Sequence, residues 1–192
     1  MVKTVSRKSL NLAGALLFAF STQFVVMMFI SEALYPHYSI ANNYISDLGV
    51  GSTAFLFDTS IAVLGIAVIV SSYFLYRGFG SALFSVLTGL TGLGALMVGI
   101  FNESFGSIHG YVSDFTFLLG PLTAIYAYRF ETSPLKYMSV VLGVISYLAI
   151  FIPMLYGYSL FGVGGWERLI VYPFLLWGVG FGAYLMGFSD KK

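Results

Sequence analysis

The chain has 192 residues, of which 58% are hydrophobic and 9% charged, and its net charge is +1. So few charges cannot cover a soluble fold, and so balanced a charge lacks the basic field that nucleic-acid binding needs. The absence of cysteine excludes disulfides, thiolate-ligated haem, iron–sulfur clusters and cysteine nucleophiles.

A membrane-spanning helix needs about 20 mostly apolar residues. The first stretch that meets this is Leu10–Ile30, behind a basic start of Lys3, Arg7 and Lys8. It is too long for a secretory h-region of about 7–15 residues, and no small-x-small cleavage pattern follows it, so it reads as a retained span. Ser21, Thr22 and Gln23 interrupt it and are expected to face neighbouring helices. The long loop Ser31–Thr53 comes next. Within it Ser39–Gly49 predicts a short amphipathic helix, with Ser39 as N-cap, Gly49 as stop, Ile40, Tyr44, Ile45 and Leu48 on one face and Asn43, Ser46 and Asp47 on a polar edge.

The second span is Ala54–Tyr76, with Asp58 about a turn inside it, and Arg77 closes it. The third is Ala82–Phe101; the loop after it carries Glu103 and His109, and Asp114 lies near the start of the fourth span, Gly110–Tyr128. Arg129 and Lys136 flank the next connection, followed by Tyr137–Tyr156 and, after Gly164-Gly-Trp-Glu-Arg168, by Leu169–Phe188 and the terminal Lys191 and Lys192. Pro121, Pro153 and Pro173 place one proline in each of the last three spans, where kinks are tolerated. Gly178 and Gly182 have the spacing that lets helix backbones approach closely.

These elements predict one all-α domain over residues 1–192: a six-helix, multi-pass bundle of the cell membrane. Basic residues favour the cytoplasmic side of short loops. Cytoplasmic termini put eight of the nine Lys and Arg inside, and leave only Arg168 outside with both His and six of the eight acids.

Three outer loops therefore converge on one mouth. Asn43, Asp47, Asp58, Glu103, His109, Asp114, Glu167 and Arg168 are the candidate ligand-binding residues. Each has a plainer role beside that one. Asp58, Asp114 and Glu167 lie near helix N-termini, where the helix dipole favours an acid, and a lone histidine is more often hydrogen-bonded than ligating. Arg168, the single outer base, is expected to meet Asp47 and Asp114 in one network that clamps the first loop.

Three functions fit. The first is a bundle that binds a membrane lipid or small molecule. The second is a membrane hydrolase, with candidate catalytic residues His109, Asp47, Ser46 and Asp114, Ser46 or Ser113 attacking with His109 as base, or a metal held with His37 and His109. The third is an accessory subunit of a membrane-protein partner. No acid sits in the middle of a span and no internal repeat is visible, which disfavours a proton path or a transporter.

Glu32-Ala-Leu-Tyr-Pro-His-Tyr-Ser and Asn43-Tyr-Ile-Ser-Asp-Leu-Gly49, with Gly99-Ile-Phe-Asn-Glu103, His109, Glu167-Arg168 and the later Trp177, carry a further signal. Together they resemble the domain-of-unknown-function 998 family of six-helix prokaryotic membrane proteins. The resemblance covers nearly the whole chain, and Ser-Asp-Leu-Gly is its most specific segment. It implies the six-helix fold, and through distant similarity to eukaryotic proteins of lipid remodelling and lysosomal membranes it implies lipid as the ligand. Asn102 departs from it, standing where proline is expected before the glutamate.

Overall fold

Low-dielectric surroundings force every backbone polar group to find a partner within the chain, and helices do this within one segment. The computed structural model describes residues 6–187, and every long element among them is helical: α1 (Arg7–Leu34), α2 (Ala54–Phe79), α3 (Ala82–Ile100), α4 (Ser107–Ala127), α5 (Leu135–Tyr156) and α6 (Gly162–Met186). Five segments are long and apolar enough to cross a membrane: Arg7–Leu34, Gly51–Phe79, Ala82–Ile100, Leu135–Tyr156 and Gly162–Met186. The chain is thus an all-α membrane bundle. α4 is not among these five; it carries His109, Ser113 and Asp114, and it packs against α3 and α5.

Local chemistry sets the ends. Ser6 Oγ accepts from the Ser9 amide at 3.4 Å to cap α1. The turn between α2 and α3 needs only Gly80, left-handed at φ 69, and Ser81, whose hydroxyl caps α3 by accepting from Phe84 N at 3.3 Å. Several buried hydroxyls within helices return to their own backbone, as Ser71 does to Ala67 O at 2.7 Å and Thr88 to Phe84 O at 2.9 Å. Pro121, Pro153 and Pro173 lie inside α4, α5 and α6 without ending them.

α1 and α6 touch backbone to backbone. A Cβ on Gly14 would stand 2.6 Å from Gly182 O, and one on Gly182 would stand 2.8 Å from Gly14 O. Gly178 meets Ser21 along the same seam, so the glycine spacing in α6 serves helix contact within the chain.

The apolar core has two parts. At one end Leu10, Leu75, Phe84, Trp177, Phe181 and Leu185 pack together, with Phe130 stacked on Phe84 at 4.8 Å. Asn11 Nδ2 reaches Met186 O at 3.5 Å and Thr132 N reaches Tyr184 Oη at 3.1 Å, so the start of α1, the end of α6 and the α4–α5 connection share this end. Gly78 against Leu10 adds the end of α2. Arg7, Lys8, Arg77, Arg129 and Lys136 therefore gather here. Lys3, Lys191, Lys192 and Phe188 lie outside the described residues. The second part joins Phe24, Met28, Phe57 and Val171 to Ile45 and Leu48 of the first loop.

Two expectations need correction. α1 runs to Leu34 and α6 starts at Gly162, so Glu32, Glu167 and Arg168 are all helical. Ser39–Gly49 is not a continuous helix: it is a turn at Ser39–Asn43 followed by a 3-10 turn at Ser46–Gly49. A helix would need the Ile40, Ala41 and Asn43 carbonyls as internal acceptors. Instead Arg168 takes those of Ile40 and Asn43, and Gly164 N takes that of Ala41 at 3.0 Å. The matching amides leave too, with Tyr44 N going to Asp47 Oδ2 at 3.1 Å and Ile45 N to Glu167 Oε2.

Candidate functional site

The first loop is held down by α6. Gly164 and Arg168 are one turn apart on the same face, and that face lies under the loop. Arg168 Nη1 donates to the carbonyls of Ile40 at 3.0 Å, Asn43 at 3.2 Å and Gly164 at 2.9 Å. Its Nη2 donates to Glu32 Oε1 at 2.6 Å and to Tyr38 Oη at 2.5 Å. The guanidinium also lies over the Tyr38 ring at 5.4 Å, and burial pushes that phenol far above its ordinary pKa, keeping it neutral.

The expected clamp is therefore present with a different acid. Glu32 of α1 is the ion-pair partner of Arg168; Asp47 and Asp114 are not. Adjacent helical residues point about 100° apart, so Arg168 turns toward α1 and the loop while Glu167 turns toward Ile45. Glu32 carried a signal only as the first residue of the familiar run.

Asp47 accepts from Asn43 Nδ2 at 2.7 Å as well as from Tyr44 N, so both residues are organised around the loop itself. Glu103 faces Asp47 from the α3–α4 connection. Burial, and then the adjacent carboxylate of Asp47, push Glu103 up to about 7. Asp58 accepts from Asn102 Nδ2 at 2.8 Å through Oδ2, while its buried Oδ1 has no partner.

His109 is 8% exposed and ties α4 to the end of α3, its Nδ1 standing 2.8 Å from Phe101 O. A carbonyl only accepts, so Nδ1 carries the proton and Nε2 is left to accept from Ser113 Oγ at 3.2 Å. Ser113 and Ser46 line a cavity of 60 Å³ that is otherwise apolar apart from Thr116 and Glu167. That volume holds about two waters. His37 is exposed at φ 57 on the first loop. Among the described residues no three His, Asp or Glu are placed to hold a metal.

A larger space opens on the other flank. Between α4, α5 and α6 lies a groove of 520 Å³, with Phe117, Leu118, Ile150, Phe151 and Ile170 in its walls. Tyr44, Asp114, Tyr158, Trp166 and Glu167 also line it. Sequence position puts these five toward the loop-bearing ends of the helices. Asp114 is exposed and makes no hydrogen bond or ion pair within the described residues. Tyr44, Tyr158 and Trp166 were not singled out as binding residues, and nothing in their spacing marks them.

One polar site lies at the basic end and was also missed. Glu131, 7% exposed, accepts from Trp177 Nε1 at 3.3 Å while its Oε2 has no partner, and burial raises its pKa. Its position in an ordinary-looking connection gave no hint of burial.

With this geometry in place, a family model described as Protein of unknown function (DUF998) matches residues 10–184. The chain belongs to that family. No curated protein and no solved structure matches it. The segments that carried the resemblance have structural counterparts in this DUF998 chain. Glu32 and Arg168 form its buried ion pair, and Ser46–Gly49 is the 3-10 turn that carries fully buried Leu48 into the core. Asn102, in the place where proline is expected, supplies a side-chain amide to Asp58 that proline lacks.

Proposed function

We propose that this multi-pass protein binds a membrane lipid or a similar small amphiphile in the groove between α4, α5 and α6. One observation carries the reading: a groove of 520 Å³, within the usual range for ligand pockets, has an apolar body and polar side chains toward one end. That is the polarity of an amphiphile. The reading includes six spans in a single domain, since α4 returns the chain from the end of α3 to the start of α5. It also places both termini in the cytoplasm and the groove's polar end outside, because the five basic residues named above gather at the other end. The cell membrane is the proposed location.

Arg168 has a changed role here. Both of its terminal nitrogens are engaged by the protein, so it shapes the site without contacting the ligand. The test is mass spectrometry of the protein purified in mild detergent. Wild type is expected to carry lipid, and Ile150→Trp, which fills the groove wall, to carry much less. Equal lipid retention by both, or none by either, would sink the reading.

A second reading rests on the Ser113–His109 pair, whose tautomer is fixed as a general base requires. It makes the protein a membrane hydrolase. A 60 Å³ cavity beside Ser113 leaves no room for an acyl substrate, which places this reading second. Labelling by a fluorophosphonate probe that Ser113→Ala abolishes would reverse the order.

A further inference from the structure

The groove's polar end is one-sided in charge. Asp114 and Glu167 are its ionisable acids, and no Lys, Arg or His is among its lining residues. Asp114 stands exposed without a hydrogen bond or ion pair among the described residues, although it lies inside a helix of the bundle, where an acid normally has a counterpart. The neighbouring base cannot serve an incoming anion, because the Arg168 guanidinium is 5% exposed and held by Glu32, Tyr38 and three carbonyls. Tyr44, Tyr158 and Trp166 add aromatic faces, which attract cations.

A second, independent feature is a donor. Trp166 lines the groove and is 6% exposed, yet its indole Nε1 is buried with no partner. An unmet N–H and an unpaired acid in the lining of one groove call for a ligand that offers a cation and an acceptor oxygen together.

Resting on the lipid-groove reading above, we propose that the occupant is an amphiphile with an ammonium head. The ammonium pairs with Asp114 among the aromatic rings, an ester or phosphate oxygen next to it accepts from Trp166 Nε1, and the chain lies along Phe117, Leu118 and Ile150. A zwitterionic phosphatidylethanolamine and a free alkylamine share this head chemistry. Phosphatidylglycerol, whose head brings only negative charge, is disfavoured by the unpaired Asp114 carboxylate.

The full chain reports on this through Trp166. Brominated acyl chains quench a tryptophan they touch, and the wild-type signal minus that of Trp166→Phe isolates this indole from Trp177. Brominated phosphatidylethanolamine is expected to quench Trp166 at a mole fraction about five-fold below that needed for chain-matched phosphatidylglycerol, equivalent to about 1 kcal/mol. Asp114→Asn, a change at an exposed position, should remove that preference while both lipids still quench. A brominated alkylamine arm separates the sources: whichever amine quenches at the lower fraction is the better ligand, and either result supports the ammonium. Equal quenching by the ethanolamine and glycerol lipids would overturn the head assignment and leave the groove reading standing. An absence of quenching by every lipid would overturn both.

Discussion

Arg168 shows how much of the loop-bearing end depends on one side chain. Removing it strands Glu32 in a site where the ion-pair side chains are only 6% and 10% exposed, and leaves the Ile40 and Asn43 carbonyls without their donor. Arg168→Ala should therefore cost about 3–5 kcal/mol, the range for breaking a buried pair from one side. The double variant Glu32→Gln, Arg168→Gln should lose less than the sum of its singles, because neither charge is stranded. Denaturation of the four proteins in one detergent measures this. Additive losses would mean that the pair is not coupled. Glu103 supplies a pH signature of the opposite kind. Its pKa rises from the ordinary glutamate value of 4.5 to about 7 in the fold, so the folded chain holds a proton that the unfolded chain releases. Stability from this group is complete below about pH 4.5 and is lost as pH rises toward 7. Glu103→Gln should flatten the melting temperature across that window. An unchanged slope would assign the titration elsewhere.

At the scale of elements, the first loop is the part whose physics the sequence hides. Its alternation of apolar and polar residues is real: Ile45 and Leu48 do reach the core, and Asn43 and Asp47 do share an edge. Periodicity reports which residues are buried, and a chain of side-chain and carbonyl bonds to α6 can bury the same residues without a helix. The competition was decided by Gly164 and Arg168, which lie more than a hundred residues away in sequence. The same limit explains the misplaced Arg168 partner. Helical spacing orders residues around one helix but does not set the rotation of α1, α4 and α6 against each other. Gly164 tests this account, since a Cβ there would run into the Asn43 and Ile40 carbonyls. Gly164→Ala should lift the loop, increase hydrogen exchange at Ile45 and Leu48, and destabilise the chain by more than about 1 kcal/mol through a clash that flexible side chains cannot relieve. Unchanged exchange at those amides would show that the loop is seated by other contacts.

For the molecule as a whole, hydrophobic run lengths made the helical bundle legible, and the charge pattern made its two ends legible. The described basic residues outside the first loop's clamp do collect at one end. Which end faces the cytoplasm is open to direct measurement, because the chain has no native cysteine. Cysteine at Ser107 or Ser159 should react with an impermeant thiol reagent on intact cells, and cysteine at Thr132 should react only after lysis. The reverse pattern would turn the bundle over, putting the groove's polar end at the inner leaflet.

The clamped loop also bears on the route open to the proposed groove ligand. With the loop drawn into the core by Ile45 and Leu48 and fixed by Arg168, the entry we propose for the groove is sideways, between α4, α5 and α6. A ligand that enters sideways is already dissolved in the bilayer, so its effective concentration is a mole fraction of lipid. Adding empty vesicles would then lower occupancy at constant ligand and protein, whereas diluting the whole sample with buffer would leave it almost unchanged.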